Sequence, residues 1–361
     1  MPVEEINTVK TLDPSKELVI LVDEANKVFL DNFSKDTYFG RCIFLSWYCS
    51  LGNCDFCYRS TQKAKIPNPQ KAKRRRESLF TEALIAKKLD WKLEFLTGGY
   101  GIFPFDELLE ISKVMHEIFE EKIWLNMGVM SKFQLEKLKP YVGGIVASVE
   151  TLEPKLHYKV APGKKLEPFS DMLKNSKEMG FKTSMTIVLG LGEDESHYKY
   201  VYDYIKEHDL DRITYYALRP VSGTPYKQGP APEYVAWWIA KTRKDFPKIE
   251  IAIGTSETRI PEINFLLKAG ANIFTKLPST RLFGTEGGLK IKGEVEKAGR
   301  NFMSNFLELR SIDWKKEVDK LKTIPDDSKE RLVAKLEEYE EKRLKKKYKG
   351  FKSLICEPCS S

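Results

Sequence analysis

Histidine is scarce in this chain, with four among 361 residues, and none stands near the cysteine-rich segment described below. A catalytic apparatus built on histidine dyads is therefore not expected. No apolar run approaches the roughly 20 residues needed to span a bilayer as a helix, so no membrane association is expected. The chain opens Met1-Pro2-Val3-Glu4-Glu5-Ile6-Asn7, without the basic-then-apolar pattern of an export signal. A cytoplasmic location follows as the expectation. The six cysteines are then more suited to metal than to disulfides. One-sided charge is also missing. Sixty basic against 52 acidic residues leave only +8, with the signs interleaved, so nucleic-acid binding through zinc-bound cysteines and basic residues is not favoured. The basic run Lys71–Arg76 reads as a solvated connector.

What is present is concentrated. Half of the cysteines, Cys49, Cys54 and Cys57, fall within nine residues. They follow an apolar run, Ile43 to Tyr48, that reads as a strand. Three thiolates on one loop can hold three irons of a four-iron cluster and leave the fourth open to a ligand. Structural zinc would require a fourth closed ligand, and the loop offers none.

With 42% apolar residues the chain can fill one large barrel or two ordinary domains. Strands are expected at Cys42–Trp47, Leu93–Leu96, Ile123–Asn126, Ile145–Ser148, Thr183–Leu189, Ile213–Leu218, Ile249–Ile253 and Asn272–Thr275. Helical periods separate them, most clearly Phe105 to Phe119. Gly180 and Gly270 stand as helix stops before the next strands. This β–α alternation predicts an α/β fold, a (β/α)8 TIM-type barrel. Its expected extent is residues 39–312, after an N-terminal arm (1–38) and before a C-terminal helix and cysteine tail (313–361). A polar helix with a thin apolar stripe (Leu332, Leu336, Tyr339, Leu344) is expected across the barrel's outside.

The cysteine loop and the segments after the later strands resemble the radical S-adenosylmethionine (SAM) superfamily, over roughly residues 40 to 285. The cysteines depart from the usual spacing, with four rather than three residues between the first two. The resemblance implies a [4Fe-4S] cluster on Cys49, Cys54 and Cys57 that binds SAM. Cofactor contacts are then implied for Phe56 and Tyr58 beside the last cysteine, Gly98 and Gly99 after the second strand, and Ser148 and Glu150 after the fourth. Gly190 and Gly192 after the fifth and Arg219 after the sixth complete the set.

The final barrel unit, Phe265–Phe274, resembles the biotin synthase-like branch. Middle strands carry no cysteine, however, and the seventh ends Ile253-Gly254-Thr255-Ser256 without arginine, so biotin synthesis itself is not expected. The ending Cys356-Glu357-Pro358-Cys359-Ser360-Ser361 is similar to what an archaeal-type lipoyl synthase would use for a sacrificial second cluster. Cys42, Ser360, Ser361 or a partner chain would supply the remaining ligands. On that resemblance the expected activity is sulfur insertion into an octanoyl chain on a lysine of a carrier protein or peptide. A paired radical SAM protein and a reductase or ferredoxin electron donor would be its partners. The alternative is a single-cluster radical SAM enzyme of another cofactor pathway, biotin synthase-like or of the iron-guanylylpyridinol type. Cys42, opening its strand, is otherwise a buried inert thiol at the barrel end away from the site.

Overall fold

The structure, a computed structural model, describes residues 15–345 and Tyr348. Cys356, Cys359, Ser360 and Ser361 lie outside the described residues. Eight parallel strands close on themselves in chain order. They are β1 (Phe39–Phe44), β2 (Lys92–Thr97), β3 (Ile123–Asn126), β4 (Val142–Glu150), β5 (Lys182–Leu189), β6 (Arg212–Ala217), β7 (Glu250–Gly254) and β8 (Ile273–Thr275). Closure pairs Phe39 and Gly40 of β1 with Phe274 and Thr275 of β8. The strands are mostly buried along their length, as both faces of a barrel wall are covered. Helix Phe105–Phe119 lies where its periodicity places it. Gly180 and Gly270 adopt φ of +80° and +106°, the left-handed conformation that ends a helix without a Cβ clash.

The N-terminal arm contains a helix, Lys16–Asn32, capped by Ser15 and burying Leu18, Val22, Ala25 and Phe29 along one face. It lies against helix Pro232–Asp245. The C-terminal helix Asp326–Tyr339 buries Leu332 and Leu336 against helix Arg76–Lys88, with Leu344 buried just beyond it. No helix among the described residues is long and apolar enough to cross a membrane.

β1 departs from the sequence expectation. It begins and ends three residues earlier, and the apolar run continues after the strand has left the sheet. Leu45 then bonds the carbonyl of Thr97, and Ser46 makes an isolated antiparallel bridge with Lys73. Cys42 accordingly sits inside β1, buried among Phe95, Val146, Val188 and Tyr216, and not at the far end of the barrel. The Thr275 hydroxyl donates to the carbonyl of Gly40 at 2.7 Å, so the Cys42 thiol, 3.2 Å away, is the donor to Thr275. Burial pushes this thiol up to about 11, with Glu94 adding to the effect. The basic run is also more structural than a connector. Lys73 pairs with Glu107 and Arg74 with Glu82.

Ions and rings fill the lower barrel. Glu94 is buried where Gly40 lacks a side chain, 3.4 Å from Arg212, which also pairs with Glu250 at 2.8 Å and lies over the ring of Trp124. Beneath this, Phe39 packs on Trp91, Phe274 and Phe306. A short parallel pair, Asp36–Thr37 with Asn301–Phe302, stands outside the barrel.

Arg243 ties the last barrel units together. Its fully buried guanidinium donates to the carbonyls of Gly270, Pro247 and Ile249 at 3.0, 2.9 and 2.7 Å and to Asn272 Oδ1 at 2.6 Å. Arg243→Met removes every one of these donors and strands buried acceptors. Urea unfolding is expected to show a loss of about 3 kcal/mol or more.

Candidate active site

The C-terminal ends of the strands surround a cavity of about 750 Å³. In barrels of this kind the mouth at that end carries the chemistry. The loop after β1 brings Cys49, Cys54 and Cys57 to its wall. The four-residue spacer is wound on a lysine. Lys63 Nζ donates to the carbonyls of Ser50 and Leu51 at 2.6 and 2.9 Å. Gly52, at φ +50°, turns the chain there, and a Cβ on it would lie 2.3 Å from Lys63 Cδ. The unusual spacing is thus accommodated by a local spool, which leaves all three cysteines on the cavity.

Backbone bonds lock the loop to its neighbours. Ser50 N–H donates to the Tyr100 carbonyl at 3.0 Å, Tyr100 N–H to Cys49 Sγ at 3.3 Å, and Asp55 N–H to the Val160 carbonyl at 2.9 Å. Burial pushes the Cys54 thiol up to about 12, opposed by the charge of Lys164. A thiol in that setting ionises only when a metal supplies charge. Among the described residues no three His, Cys, Asp or Glu side chains converge on one ion. In a four-iron cluster each thiolate takes a separate iron. The three cavity-facing thiols and the Tyr100 N–H bonded to Cys49 fit such a cluster.

Beside the cysteine loop, the end of β4 and the loop after it hold a polar set. Ser148 Oγ donates to Asn126 Oδ1 at 2.5 Å, and Glu150 is ion-paired with Lys164, whose ammonium also donates to the Ser148 carbonyl at 3.3 Å. Glu150 adopts φ +65° at the end of β4, a strained conformation for a side-chain-bearing residue. Burial alone would push Lys164 down, but the Glu150 carboxylate reverses this and its pKa is raised. The loop carrying Lys164 is pinned by His157, whose ring nitrogens face the carbonyls of Thr151 and Lys164 at 2.8 and 2.6 Å. Lys164→Met leaves a mostly buried carboxylate unpaired. Urea unfolding is expected to show a loss of about 3 kcal/mol, the cost of breaking a buried ion pair from one side.

Of the sequence-derived residues, Phe56, Tyr58, Gly98, Gly99, Ser148, Glu150 and Arg219 line the cavity with the three cysteines. Gly190 and Gly192 are not among its lining residues. At φ of +100° and +124° they shape the turn in which buried Glu193 accepts from the amides of Gly190 and Leu191. Leu191 then packs in the cluster that holds Cys54. Sequence reasoning missed Arg59, Asn126, Lys164, Tyr216 and Lys276, all on the lining. None belongs to a recognisable local pattern, and each is brought in by topology.

A closed eight-strand barrel with three cysteines on the loop after its first strand and a polar cavity at the same mouth defines a cluster-binding barrel enzyme. The radical SAM superfamily pattern matches residues 45–205. An uncharacterised protein of Methanocaldococcus jannaschii is 36% identical over 315 residues, covering 86% of this chain and 87% of that protein. A biotin synthase of Methanococcus vannielii is 26% identical over 278 residues, covering 75% of this chain and 80% of the relative. The crystal structure of methylornithine synthase shares the fold at a TM-score of 0.64 and 20% identity, covering 89% of this chain and 93% of that one. The chain belongs to the radical SAM superfamily and is a radical SAM enzyme, a membership that implies a [4Fe-4S] cluster and SAM.

Proposed function

We propose that this chain is a single-cluster radical SAM enzyme that acts on a small molecule in a biosynthetic pathway. The observation that carries this reading is the convergence of Cys49, Cys54 and Cys57 with Glu150 and Lys164 on one cavity. Similarity to a biotin synthase, whose name describes the making of a small molecule, supports it. When bound, the cluster supplies the electron, delivered from an external reductase or ferredoxin, that cleaves SAM to a 5′-deoxyadenosyl radical.

The chain's own residues bind and orient. The bare backbone of Gly98 and Gly99 admits the methionyl end of SAM close to the cysteine loop. Glu150, fixed by Lys164, and Ser148, fixed by Asn126, offer oxygens to ribose hydroxyls. Phe56 offers a ring face to the adenine. Phe44, Trp47 and Phe95 give the cavity apolar walls that limit water near the reacting atoms.

Anaerobic reconstitution tests the reading. Wild type and a Cys356→Ala/Cys359→Ala variant are both expected to hold about four irons per chain and to form 5′-deoxyadenosine from SAM under reduction. About eight irons in wild type falling to about four in the variant would instead favour sulfur insertion of the lipoyl synthase kind, onto an octanoylated carrier. Failure of wild type to form 5′-deoxyadenosine with a full cluster would overturn both.

A further inference from the structure

The cavity holds more positive charge than its carboxylates answer. Arg59, Lys164, Arg219 and Lys276 line it, and Glu150, the acidic side chain on that lining, is already paired with Lys164. Among the described residues Lys276 has neither a hydrogen bond nor an ion pair. Its ammonium stands 3.7 Å from the centre of the Tyr216 ring. The side chain is surrounded by protein yet exposes its surface to the cavity, so it projects into the open space without being packed into the wall. Burial pushes its pKa down, opposed by the nearby Cys42 and Glu150 side chains, with a smaller push in the same direction from Arg59. Arg59 has its own unanswered group. Nε donates to the Ser46 carbonyl at 3.3 Å, while Nη2 is buried without a partner.

The placement of Lys276 is built in. It follows β8 at φ +68°, a conformation that costs a lysine energy and persists only when its neighbours impose it. They do so on both sides. The Thr275 carbonyl accepts from Thr255 N–H at 3.1 Å, and the Leu277 carbonyl accepts from Arg41 Nη1 at 3.3 Å. The ring beneath it is fixed as well. Tyr216 lies flat against Gly254, where a Cβ would come within 1.7 Å of the ring. Arg59 adds a second positive charge to the lining, and a lysine without an ion pair in a partly desolvated cavity is unfavourable until an anion arrives.

We propose that Lys276, with Arg59 lining the same cavity, forms an anion subsite for the co-substrate, which is a small organic acid held by its carboxylate. The subsite lies at β8 and at the end of the cysteine loop. The Ser148, Glu150 and Lys164 set belongs to β4 and the loop after it. A carboxylate on Lys276 Nζ would receive a charge-assisted hydrogen bond and would set the rest of the acid in the cavity beside SAM, with the charge of Arg59 on the same lining adding to the attraction. The inference rests on the radical SAM reading of this cavity, but its test reads binding and not turnover, so the two can fail separately.

The probes are straight-chain carboxylates from butanoate to octanoate, with the corresponding primary amides as neutral partners. Each is titrated by ligand-observed NMR against cluster-loaded full-length protein saturated with SAM. The acids are expected to bind and the amides not. Lys276→Met should weaken acid binding by about tenfold or more, as loss of one charge-assisted bond requires. Lys276→Arg should retain most of it, and SAM affinity should change by less than about twofold in both variants. Thermal unfolding of each variant checks that the fold is intact, and the charge-keeping arginine variant carries the test if the methionine variant fails to fold. Equal binding of acids and amides, no binding of acids, or acid binding untouched by Lys276→Met would overturn the proposal. A matching loss of SAM affinity would also overturn it, by assigning the lysine to the carboxylate of SAM itself.

Discussion

Cys54→Ala is expected to yield a folded protein that holds little iron and forms no 5′-deoxyadenosine above background. Cys54 is the most enclosed of the three loop cysteines, at 7% exposure, among Val160, Ala161, Leu191, Leu218 and Tyr226. Removing its sulfur opens a small void that costs about 1 kcal/mol of folding free energy, well below the cost of emptying a large core site. The effect on metal is far larger, because a cluster held by two thiolates has lost one of its protein bonds to iron. Cys54→Ser should not rescue it, since a hydroxyl is a hard donor where soft thiolate is required. Iron and sulfide content, with the visible absorption of the reconstituted protein, decide the matter. Cys42→Ala is the contrasting control. That thiol donates to Thr275 and is absent from the cavity lining, so the iron content should be unchanged. Equal iron loss in both variants would sink the three-cysteine assignment.

Gly99→Ala should be nearly as damaging, by a different route. A Cβ at Gly99 would lie 1.8 Å from the Tyr48 carbonyl oxygen and 2.6 Å from Cys49 Cα. Both are backbone atoms of the cysteine loop, so no side-chain rotation relieves the clash and the loop itself must move. Overpacking against fixed atoms costs about 1–3 kcal/mol or more. Here the displaced element carries the first cysteine and the Tyr100-to-Cys49 bond. Iron content is expected to fall to half or less, with a lowered Tm. Gly98→Ala meets Met127 Cε at 3.2 Å, the free end of a flexible side chain, and should be mild by both measures. If the two variants behave alike, the close approach of Gly99 to the loop is not what holds Cys49 in place.

Much of this architecture was legible in the sequence, for identifiable reasons. Strands with both faces covered write themselves as apolar runs, and the helix stops at Gly180 and Gly270 mark the next strand starts. β1 was misplaced because Leu45, Trp47 and Tyr48 keep the stretch largely apolar after the strand ends, Leu45 in the core and Trp47 on the cavity wall. Hydrophobicity reports burial there and not hydrogen bonding. The displaced boundary carried Cys42 with it. At the site, the cysteines and the glycines after β2 could be read because their chemistry depends on local spacing. Lys164 and Lys276 could not. Each is a lysine among the 60 basic residues of the chain, set apart only by the strand ends that topology brings together. Gly190 and Gly192 were read as cofactor contacts, but they are absent from the cavity lining and their contribution runs through Glu193 and Leu191 behind the wall.

The ionic and aromatic layer under the cavity has a consequence for traffic. Glu94, Arg212 and Glu250, with Trp124 above and Phe39, Trp91 and Phe306 below, close the barrel's lower end. Among the described residues the site is then a cul-de-sac, entered from the rim at the strand ends that cofactor and co-substrate share. Such a vessel makes the rim the one place in the described barrel where arrival and departure are controlled, and holds a reactive radical away from bulk water.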